Sequence, residues 1–250
     1  MKKIQLVEVC KKYQTKEDTL PVLEGISLSV DSNQFVCIVG PSGCGKSTIF
    51  NTITGLVKQD SGRILINGQE QADSSSMISY MPQKDLLLPW RRVIDNVILP
   101  LKLAGVSRSE AVQEAMELMD VFGLKGFEER YPSELSGGMR QRAALMRTIL
   151  AKKDILLLDE PFGALDAITR FKMQSWLLQV WNQFKRTILF ITHDVEEAVY
   201  LSDKIYVLSE RPGRIKLEQE VNLPRPRNSD MITGSDFVKI KKKVLKAIET

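Results

Sequence analysis

A glycine-rich run early in the sequence has the residue types and spacing of a phosphate-binding loop. It reads Gly40, Pro41, Ser42, Gly43, Cys44, Gly45, Lys46, Ser47 and Thr48, which matches the pattern G-x-x-x-x-G-K-[ST]. Glycines let a backbone wrap closely around phosphate oxygens, and a helix that begins near Lys46 turns its positive end towards the same anion. We expect Lys46 to reach the β- and γ-phosphates of a nucleoside triphosphate, Ser47 to ligate Mg²⁺ and Thr48 to add phosphate contacts. A chance glycine-rich turn is the alternative, and the flanking strand and helix disfavour it.

Two adjacent carboxylates follow an apolar run later in the chain. Ile155–Leu158 has the composition of a strand buried on both faces, and Asp159 and Glu160 come directly after it. In an open parallel sheet, the carboxyl ends of the strands face the ligand crevice. We expect Asp159 to orient the Mg²⁺ shell and Glu160 to polarise an attacking water. An acidic strand end that meets a surface loop would look the same in isolation.

Two further polar residues follow strand-like runs in the same way. His193, the one histidine of the chain, comes after Thr187–Ile191, and Gln83 comes after Met77–Met81. At the exit end of a strand, His193 can hydrogen-bond a γ-phosphate and Gln83 can hold the water of the metal. Taken alone, either residue would as readily be structural.

A second glycine-containing segment suits an anion but has no nucleotide of its own. The run Leu135–Arg142 opens a predicted helix over Ala143–Ala151. The anion donors would be Ser136, Gly137 and Gly138, with Ser133 and Glu134 upstream as capping candidates. Because one triphosphate in the first loop leaves this helix end empty, the sequence predicts a two-fold dimer in which the partner's nucleotide fills it. An ordinary glycine-containing helix cap is the alternative.

Strands that alternate with helices position these residues on a mainly parallel sheet with helices on both faces. The strand-like runs are Phe35–Val39, Met77–Met81, Ile155–Leu158, Thr187–Ile191 and Ile205–Leu208. A helix is predicted over Lys46–Leu56, stopped near Gly55.

Two segments are predicted as additions to that core. The first is rich in strands: Ile4, Leu6 and Val9 alternate, as do Ile26, Leu28 and Val30, and Ile64–Ile66 runs into an Asn67-Gly68 turn. The second is a helical block from about 90 to 140, with a helix that starts at Ser109. The short run Ser74–Ser76 between them is predicted as a loop.

The composition is that of an ordinary globular protein and excludes several other classes. The chain has 250 residues, 43% of them hydrophobic, and a formal net charge of +4, which is too small to indicate nucleic acid. Cys10, Cys37 and Cys44 are odd in number and irregularly spaced, so neither a disulfide framework nor a zinc cluster is predicted. No run approaches the roughly 20 apolar residues of a membrane helix, and no signal-peptide core is present. We therefore expect a soluble intracellular protein that meets a membrane only through a partner or from the surface.

The C-terminal tail has an amphipathic pattern that allows two interpretations. Phe237, Ile240, Val244 and Ile248 fall on one helical face between Asp236 and Ile248, with lysines around them. This face could contact anionic lipid. Docking on the chain's own body is the simpler interpretation.

The chain resembles the ATP-binding cassette (ABC) family of ATPases from about Ile4 to Leu223. The motifs that carry the resemblance stand in that family's order: the phosphate loop, Gln83, Leu135–Gln141, Asp159-Glu160, Ala164-Leu165-Asp166 and His193. The resemblance implies ATP and Mg²⁺ as cofactors. It also implies an α/β fold of the P-loop NTPase kind, with a RecA-like, mainly parallel sheet core, an antiparallel β subdomain and a helical signature subdomain.

The same resemblance implies a domain division and two more site residues. The ATPase domain would span residues 1–228, with the helical subdomain at about 88–150 and a basic amphipathic tail at 229–250. Tyr13 would stack on adenine, and Asp166 would lie at the dimer seam. Met139 stands where the family usually has glutamine. Since the anion donors are Ser136 and nearby amides, we expect activity to survive this departure.

Within the family, the chain looks like subunits of nitrate, sulfonate and taurine importers. The resembling segments are Leu87–Val97, Arg211–Ile215 and Leu223–Arg227. This implies an ATP-hydrolysing subunit, peripheral on the cytoplasmic face of the inner membrane. It would energise uptake of a small anionic solute through a separate multi-span permease, with an external solute-binding protein involved indirectly. The first segment is apolar enough to form a groove for a permease helix; packing within the helical block is the alternative.

Two other functions compete with this interpretation. A non-transport ABC-type ATPase could act as a scaffold or clamp on nucleic acid or ribosomes. Such proteins usually carry a coiled-coil insertion or a second cassette, and this sequence has neither, so no nucleic acid is expected. An exporter motor is the other alternative, and exporters often fuse the cassette to membrane spans.

Overall fold

The computed structural model describes residues 1–14, 18–71 and 77–249 of the chain. The predicted loop at Ser74–Ser76 lies outside the described residues. Among those that are described, no helix is both long enough and apolar enough to span a membrane.

Strands and helices alternate one by one between residues 155 and 208, and the earlier elements come in groups of strands or of helices. The strands are β1 (Lys2–Gln14), β2 (Thr19–Asp31), β3 (Phe35–Val39), β4 (Ser61–Ile66), β5 (Gln69–Glu70), β6 (Ile78–Met81), β7 (Ile155–Asp159), β8 (Thr187–Ile191), β9 (Lys204–Leu208) and β10 (Ile215–Glu220). The helices are α1 (Lys46–Ile53), α2 (Val93–Val97), α3 (Leu99–Leu103), α4 (Arg108–Met119), α5 (Gly137–Leu150), α6 (Ala167–Phe184), α7 (Val195–Leu201) and α8 (Ser235–Glu249). Short 3₁₀ turns cover Pro132–Glu134 and Ser229–Thr233.

The main sheet has the strand order β10-β9-β3-β8-β7-β6. All neighbouring pairs in it are parallel except β9 and β10. Every residue of β3, β7, β8 and β9 is buried, as expected for strands covered by packing on both faces. The predicted parallel core is therefore confirmed.

A second, antiparallel sheet has the order β2-β1-β4-β5. Its inward residues are the predicted alternating ones: Ile4, Leu6, Val9, Ile26, Leu28 and Val30 are all buried. They share one core with α1 and with one face of the main sheet. The other face of the main sheet packs on a second core that includes α2 to α8.

Two predicted helix starts are wrong, in each case because a different side chain caps the helix. Ser107, not Ser109, caps α4, since its hydroxyl accepts the Glu110 amide and the Glu110 carboxylate accepts the Ser107 amide. α5 begins at Gly137, six residues before the predicted Ala143. Ser136 caps it, whereas Ser133 and Glu134 lie in the preceding 3₁₀ turn.

The end of α1 and the last strand also differ from prediction. α1 ends at Ile53, before the predicted Leu56. Strand β10 was not predicted. It alternates between half-buried and exposed residues, and such an edge strand lacks the continuous apolar run that marks the central strands.

The C-terminal tail forms α8 and docks on the chain's own body. Phe237 and Val244 are 1% and 0% exposed. The Lys241 ammonium donates to the Glu196 carboxylate of α7 at 2.6 Å. The apolar face that could have entered lipid is thus covered by α7, β9 and β10.

This docking predicts a difference between two positions on α8. Phe237→Ala should lower the free energy of unfolding by about 3–5 kcal/mol, because it removes a buried aromatic ring and leaves a cavity. Leu245→Ala is the control, since Leu245 is 37% exposed on the same helix and should change stability by less than about 1 kcal/mol. Urea denaturation measures both values, and equal small losses would show that the tail does not dock.

Candidate functional site

The glycine-rich run forms a tight loop between β3 and α1. Gly45 is the N-cap of α1 with φ of 108°, a conformation that residues with a side chain rarely adopt. A Cβ at Gly45 would also lie 2.7 Å from a methyl group of Leu23. The sequence folds this way because only glycine lets the loop pass so close to β2. The positive end of α1 consequently opens at the loop.

Lys46 is held at the loop by backbone carbonyls. Its ammonium donates to the carbonyl oxygens of Gly40 and Pro41, both at 2.8 Å, and the residue is 6% exposed. The charge is buried, and its oxygen acceptors are neutral carbonyls. A phosphate group is a stronger partner for an ammonium than a carbonyl is.

A cavity of about 540 Å³ brings several predicted site residues together. Its lining includes Tyr13, Ser42, Gly43, Gly45, Lys46, Ser47, Thr48, Gln83 and Glu160, and also Leu20, Val22 and Arg211. A tyrosine ring, a phosphate loop, an amide and a carboxylate thus face one space of nucleotide size. A larger open depression of about 710 Å³ beside the end of α1 includes none of the predicted site residues in its lining.

Asp159 has the properties of a metal ligand. It is 2% exposed, and burial, aided by the charge of Glu160, raises its pKa to about 6 in spite of a hydrogen bond from Ser47 and the charge of Lys46. A buried carboxylate beside a hydroxyl supplies the oxygen ligands that Mg²⁺ prefers. A divalent cation here would offset the desolvation that raises the pKa, so the donor set fits Mg²⁺.

Glu160 joins the other two predicted polar residues through one oxygen. Its Oε2 accepts from Nε2 of Gln83 at 3.2 Å and lies 3.3 Å from Nδ1 of His193. The backbone of Glu160 has φ of 47°, a left-handed conformation that turns the chain sharply at the end of β7. Its amide is fixed by the Ile191 carbonyl at 2.9 Å. Three loops that are distant in sequence therefore meet at this carboxylate.

The second predicted anion site is separate from this cavity. Ser136, Gly137 and Gly138 form the N-terminus of α5, and none of them lines the cavity. The hydroxyl of Ser136 accepts the Met139 amide at 3.3 Å, and Ser136 is exposed. Asp166, likewise exposed, caps α6 by accepting the Thr169 amide at 3.0 Å. One chain thus presents two helix N-termini outside its own nucleotide-sized cavity.

Residues 23–163 match the family model described as ABC transporter. The chain belongs to the ABC transporter family. The aliphatic sulfonates import ATP-binding protein SsuB of Bacillus cereus is 42% identical over 96% of this chain and 94% of its own length. The nitrate import ATP-binding protein NrtD of Synechocystis is 42% identical over 88% of this chain and 83% of its own. The taurine import ATP-binding protein TauB of Rhizobium johnstonii is 44% identical over 83% and 79%.

Solved structures agree with this assignment. The dimeric structure of MJ0796, a bacterial ABC transporter cassette, covers 88% of this chain and 100% of its own with a TM-score of 0.81 and 29% identity. A post-hydrolysis state of the same cassette, bound to ADP and Pi, gives a TM-score of 0.82. The predicted P-loop NTPase fold class is confirmed. The chain is an ABC-type ATPase coupled to transport, with ATP and Mg²⁺ as cofactors.

In this ABC ATPase, a residue with no predicted role of its own connects helix α5 to the loop that contains Glu160. Oε1 of Gln141 accepts the Ala164 amide at 2.9 Å, and its Nε2 contacts the Glu160 carbonyl at 3.4 Å. A polar residue on the apolar face of α5, three and four positions before the buried Ala144 and Leu145, was the available signal.

Two arginines of α5 hold the segment that follows Gln83. Arg140 forms an ion pair with Asp85 at 3.1 Å. Arg147 donates to the carbonyl oxygens of Asp85 and Leu86 at 2.7 and 2.8 Å. The start of the apolar segment is therefore anchored to α5 by charged hydrogen bonds.

Two interpretations were possible for the apolar segment Leu87–Val97, a groove for a permease helix and packing within the helical block, and each fits part of the segment. Its predicted packing is correct for Leu87, Val93 and Val97, which are buried in the helical region. Trp90 is 71% exposed and the neighbouring Leu86 is 58% exposed. This exposed pair lies close along the chain to Gln83.

Removal of the hydrogen bonds made by the Gln141 side chain should lower the stability of the protein to unfolding. Gln141→Ala should lower the free energy of unfolding by about 1–3 kcal/mol, because the Ala164 amide loses its side-chain acceptor. Gln113→Ala, at an exposed position of α4, is the matched control and should have little effect. Urea denaturation of the two variants compares them directly, and equal stabilities would exclude a structural bridge.

Proposed function

We propose that this ATPase powers a membrane importer as a homodimer, with two ATP molecules bound between the subunits. The observation that carries the proposal is the meeting of Gln83, Glu160 and His193 at one carboxylate beside the phosphate loop. Polar groups placed in this way support the positioning of a water for in-line attack on a γ-phosphate.

Each residue of the cavity has a defined role in the proposal. Lys46 exchanges its carbonyl partners for the β- and γ-phosphates, and the amides of the loop from Gly40 to Thr48 surround the phosphate oxygens. Glu160 takes the proton of the attacking water, and His193 donates to the γ-phosphate. The Tyr13 ring stacks on adenine. Ser47, Gln83 and Asp159 would hold Mg²⁺, which neutralises negative charge on the phosphates when bound.

The dimer completes each site with groups from both chains. Ser136, Gly137 and Gly138 at the N-terminus of α5 would bind the γ-phosphate of the partner's ATP, because none of them lines the chain's own cavity and Ser136 and Gly137 are exposed. Asp166 would lie at the seam between the two chains. The related MJ0796 cassette has a dimeric structure, which supports this arrangement.

The proposal of an importer is supported by the names of related proteins and by one exposed apolar surface. Relatives are named for the import of aliphatic sulfonates, taurine, nitrate and formylaminopyrimidine. We propose a solute of the sulfonate, taurine or nitrate kind, delivered by an external binding protein to a multi-span permease. Leu86 and Trp90 would contact a helix of that permease on the cytoplasmic face of the membrane, because large exposed apolar side chains next to an active-site loop suit a docking surface.

Substitution of Glu160 tests the catalytic part of the proposal. Glu160→Gln should reduce ATP turnover by about a hundredfold or more while ATP still binds, because the amide cannot accept the proton. The variant should then accumulate as an ATP-bound dimer, with twice the monomer mass in light scattering. Adding Ser136→Ala should abolish this dimer. Near-normal turnover of Glu160→Gln would remove Glu160 from its role, and a persistent dimer in the double variant would remove Ser136.

Affinity purification tests the importer part. Tagged chain from detergent-solubilised membranes of its own cells should retain a multi-span membrane protein. Trp90→Ala should reduce that recovery several-fold, whereas Leu103→Ala, also highly exposed on α3, should not. Uptake of labelled taurine, an alkanesulfonate or nitrate should stop in cells that carry only Glu160→Gln. Recovery of nucleic acid alone would favour the scaffold function instead.

A further inference from the structure

The loop Arg211–Arg214 joins β9 to β10 and has no role in the function described so far. Ser209, directly after β9, stabilises the loop by hydrogen bonds to it. Its hydroxyl lies within hydrogen-bond distance of the carbonyl oxygens of Glu210 and Pro212, at 2.7 and 3.0 Å, and accepts the Arg214 amide at 2.9 Å. The Ser209 amide also donates to the Arg214 carbonyl at 2.9 Å. These bonds give the loop a defined shape before any ligand binds.

Gly213 fixes this loop against β2 and the phosphate loop. Its amide donates to the Val22 carbonyl at 2.9 Å, and its carbonyl accepts the Glu24 amide at 3.0 Å. A Cβ at Gly213 would overlap the carbonyl oxygen of Cys44. The backbone of the loop therefore lies directly against the backbone of the phosphate loop, and a side chain at this position would push the two apart.

Arg211 reaches from this loop to the phosphate loop itself. Its Nε and Nη2 both donate to the carbonyl oxygen of Gly43, at 3.1 and 2.7 Å. Arg211 also lines the same cavity as Tyr13 and Lys46. Among the residues that line the cavity, Lys46 and Arg211 are the cationic ones.

The hydrogen bonds from Arg211 to the Gly43 carbonyl also orient the next backbone amide, that of Cys44, which is available to bind a phosphate oxygen. A peptide unit is planar, so its carbonyl oxygen and the following N–H point in opposite directions. When Arg211 holds the Gly43 carbonyl, it also sets the direction of the Cys44 amide. In the described part of the chain, that amide makes a long contact with the Pro41 carbonyl, at 3.4 Å. A charged phosphate oxygen is a stronger acceptor and can replace this contact.

We propose that Arg211 is a positioning residue of the nucleotide site. It orients the Gly43–Cys44 peptide for the phosphates of ATP and so raises nucleotide affinity. The effect is on binding rather than on the chemical step, because Arg211 is hydrogen-bonded to the loop and not to Glu160, Gln83 or His193 in the described structure. The inference rests on ATP binding and is independent of the importer function.

The matched pair Arg211→Gln and Arg214→Gln tests the proposal. Arg214 belongs to the same loop but forms an ion pair with Glu24 at 2.8 Å, away from the phosphate loop. Arg211→Gln should raise the Kd for ATP and for ADP by about tenfold, as expected for the loss of a charged contact. Its kcat should change less than about twofold, and Arg211→Lys should recover part of the affinity. Arg214→Gln should bind both nucleotides like the unchanged protein.

Two further measurements distinguish positioning from other roles. Adenosine, which lacks phosphates, should compete equally well for the unchanged protein and for Arg211→Gln; an equal loss for adenosine would mean that Arg211 contacts the nucleoside instead. The melting temperatures of the two variants should agree, because both arginines are exposed. Unchanged affinity for ATP in Arg211→Gln would overturn the proposal, whatever its melting temperature.

Discussion

Strands β3, β7 and β8 lie side by side and parallel, with Ile38 opposite Ile191 and Ile191 opposite Asp159. Because parallel strands end at the same edge, the loops that follow them are forced together. The phosphate loop follows β3, Glu160 follows β7 and His193 follows β8, so the register of three hydrogen-bonded strands decides the distances within the site. A slip of one residue in β7 would turn Asp159 to the opposite face of the sheet and separate it from the phosphate loop.

The same sheet edge buries charges that the protein alone compensates only in part. Lys46 is bound to neutral carbonyls, and burial raises the pKa of Asp159 to about 6. Charges withdrawn from water cost free energy unless a partner of opposite sign is close. A triphosphate offers negative charge to Lys46, and a divalent cation offers positive charge to Asp159. Because burial makes both protein charges costly in free energy, it favours binding of the nucleotide together with its cation.

Features marked by a local pattern of residues could be predicted from the sequence, whereas contacts between distant residues and some helix ends could not. Strands β3 and β8 begin and end where they were predicted, since continuous apolar runs mark strands buried on both faces. The phosphate loop and the acidic pair were recognisable because their chemistry needs a fixed local spacing. The role of Ser107 as a helix cap was missed, since several polar residues stood close enough to compete for it.

The contacts of Gln141 and Arg211 could not be predicted at all from local spacing. The Arg211 side chain contacts Gly43 across 168 positions of sequence. The pairing of β9 with β3 and the bonds of Gly213 to β2 bring the two loops together. Gln141 likewise binds a segment about twenty residues away. The Arg211 contact depends on the packed sheet and no periodic pattern marks it, whereas the helical spacing of Gln141 marks a polar residue on an apolar face but not its partners.

Helix α5 connects the two halves of the proposed composite site within one chain. Its N-terminus carries Ser136, and one turn later Gln141 binds the loop between Glu160 and Ala164 while Arg140 pairs with Asp85. A helix is a rigid element, so a displacement of its N-terminus shifts these bonds as well. In the proposed dimer, the partner's nucleotide would act on that N-terminus. Occupation of one site would then shift Glu160 and the segment after Gln83 in the other site, so the two sites of the proposed dimer would be coupled.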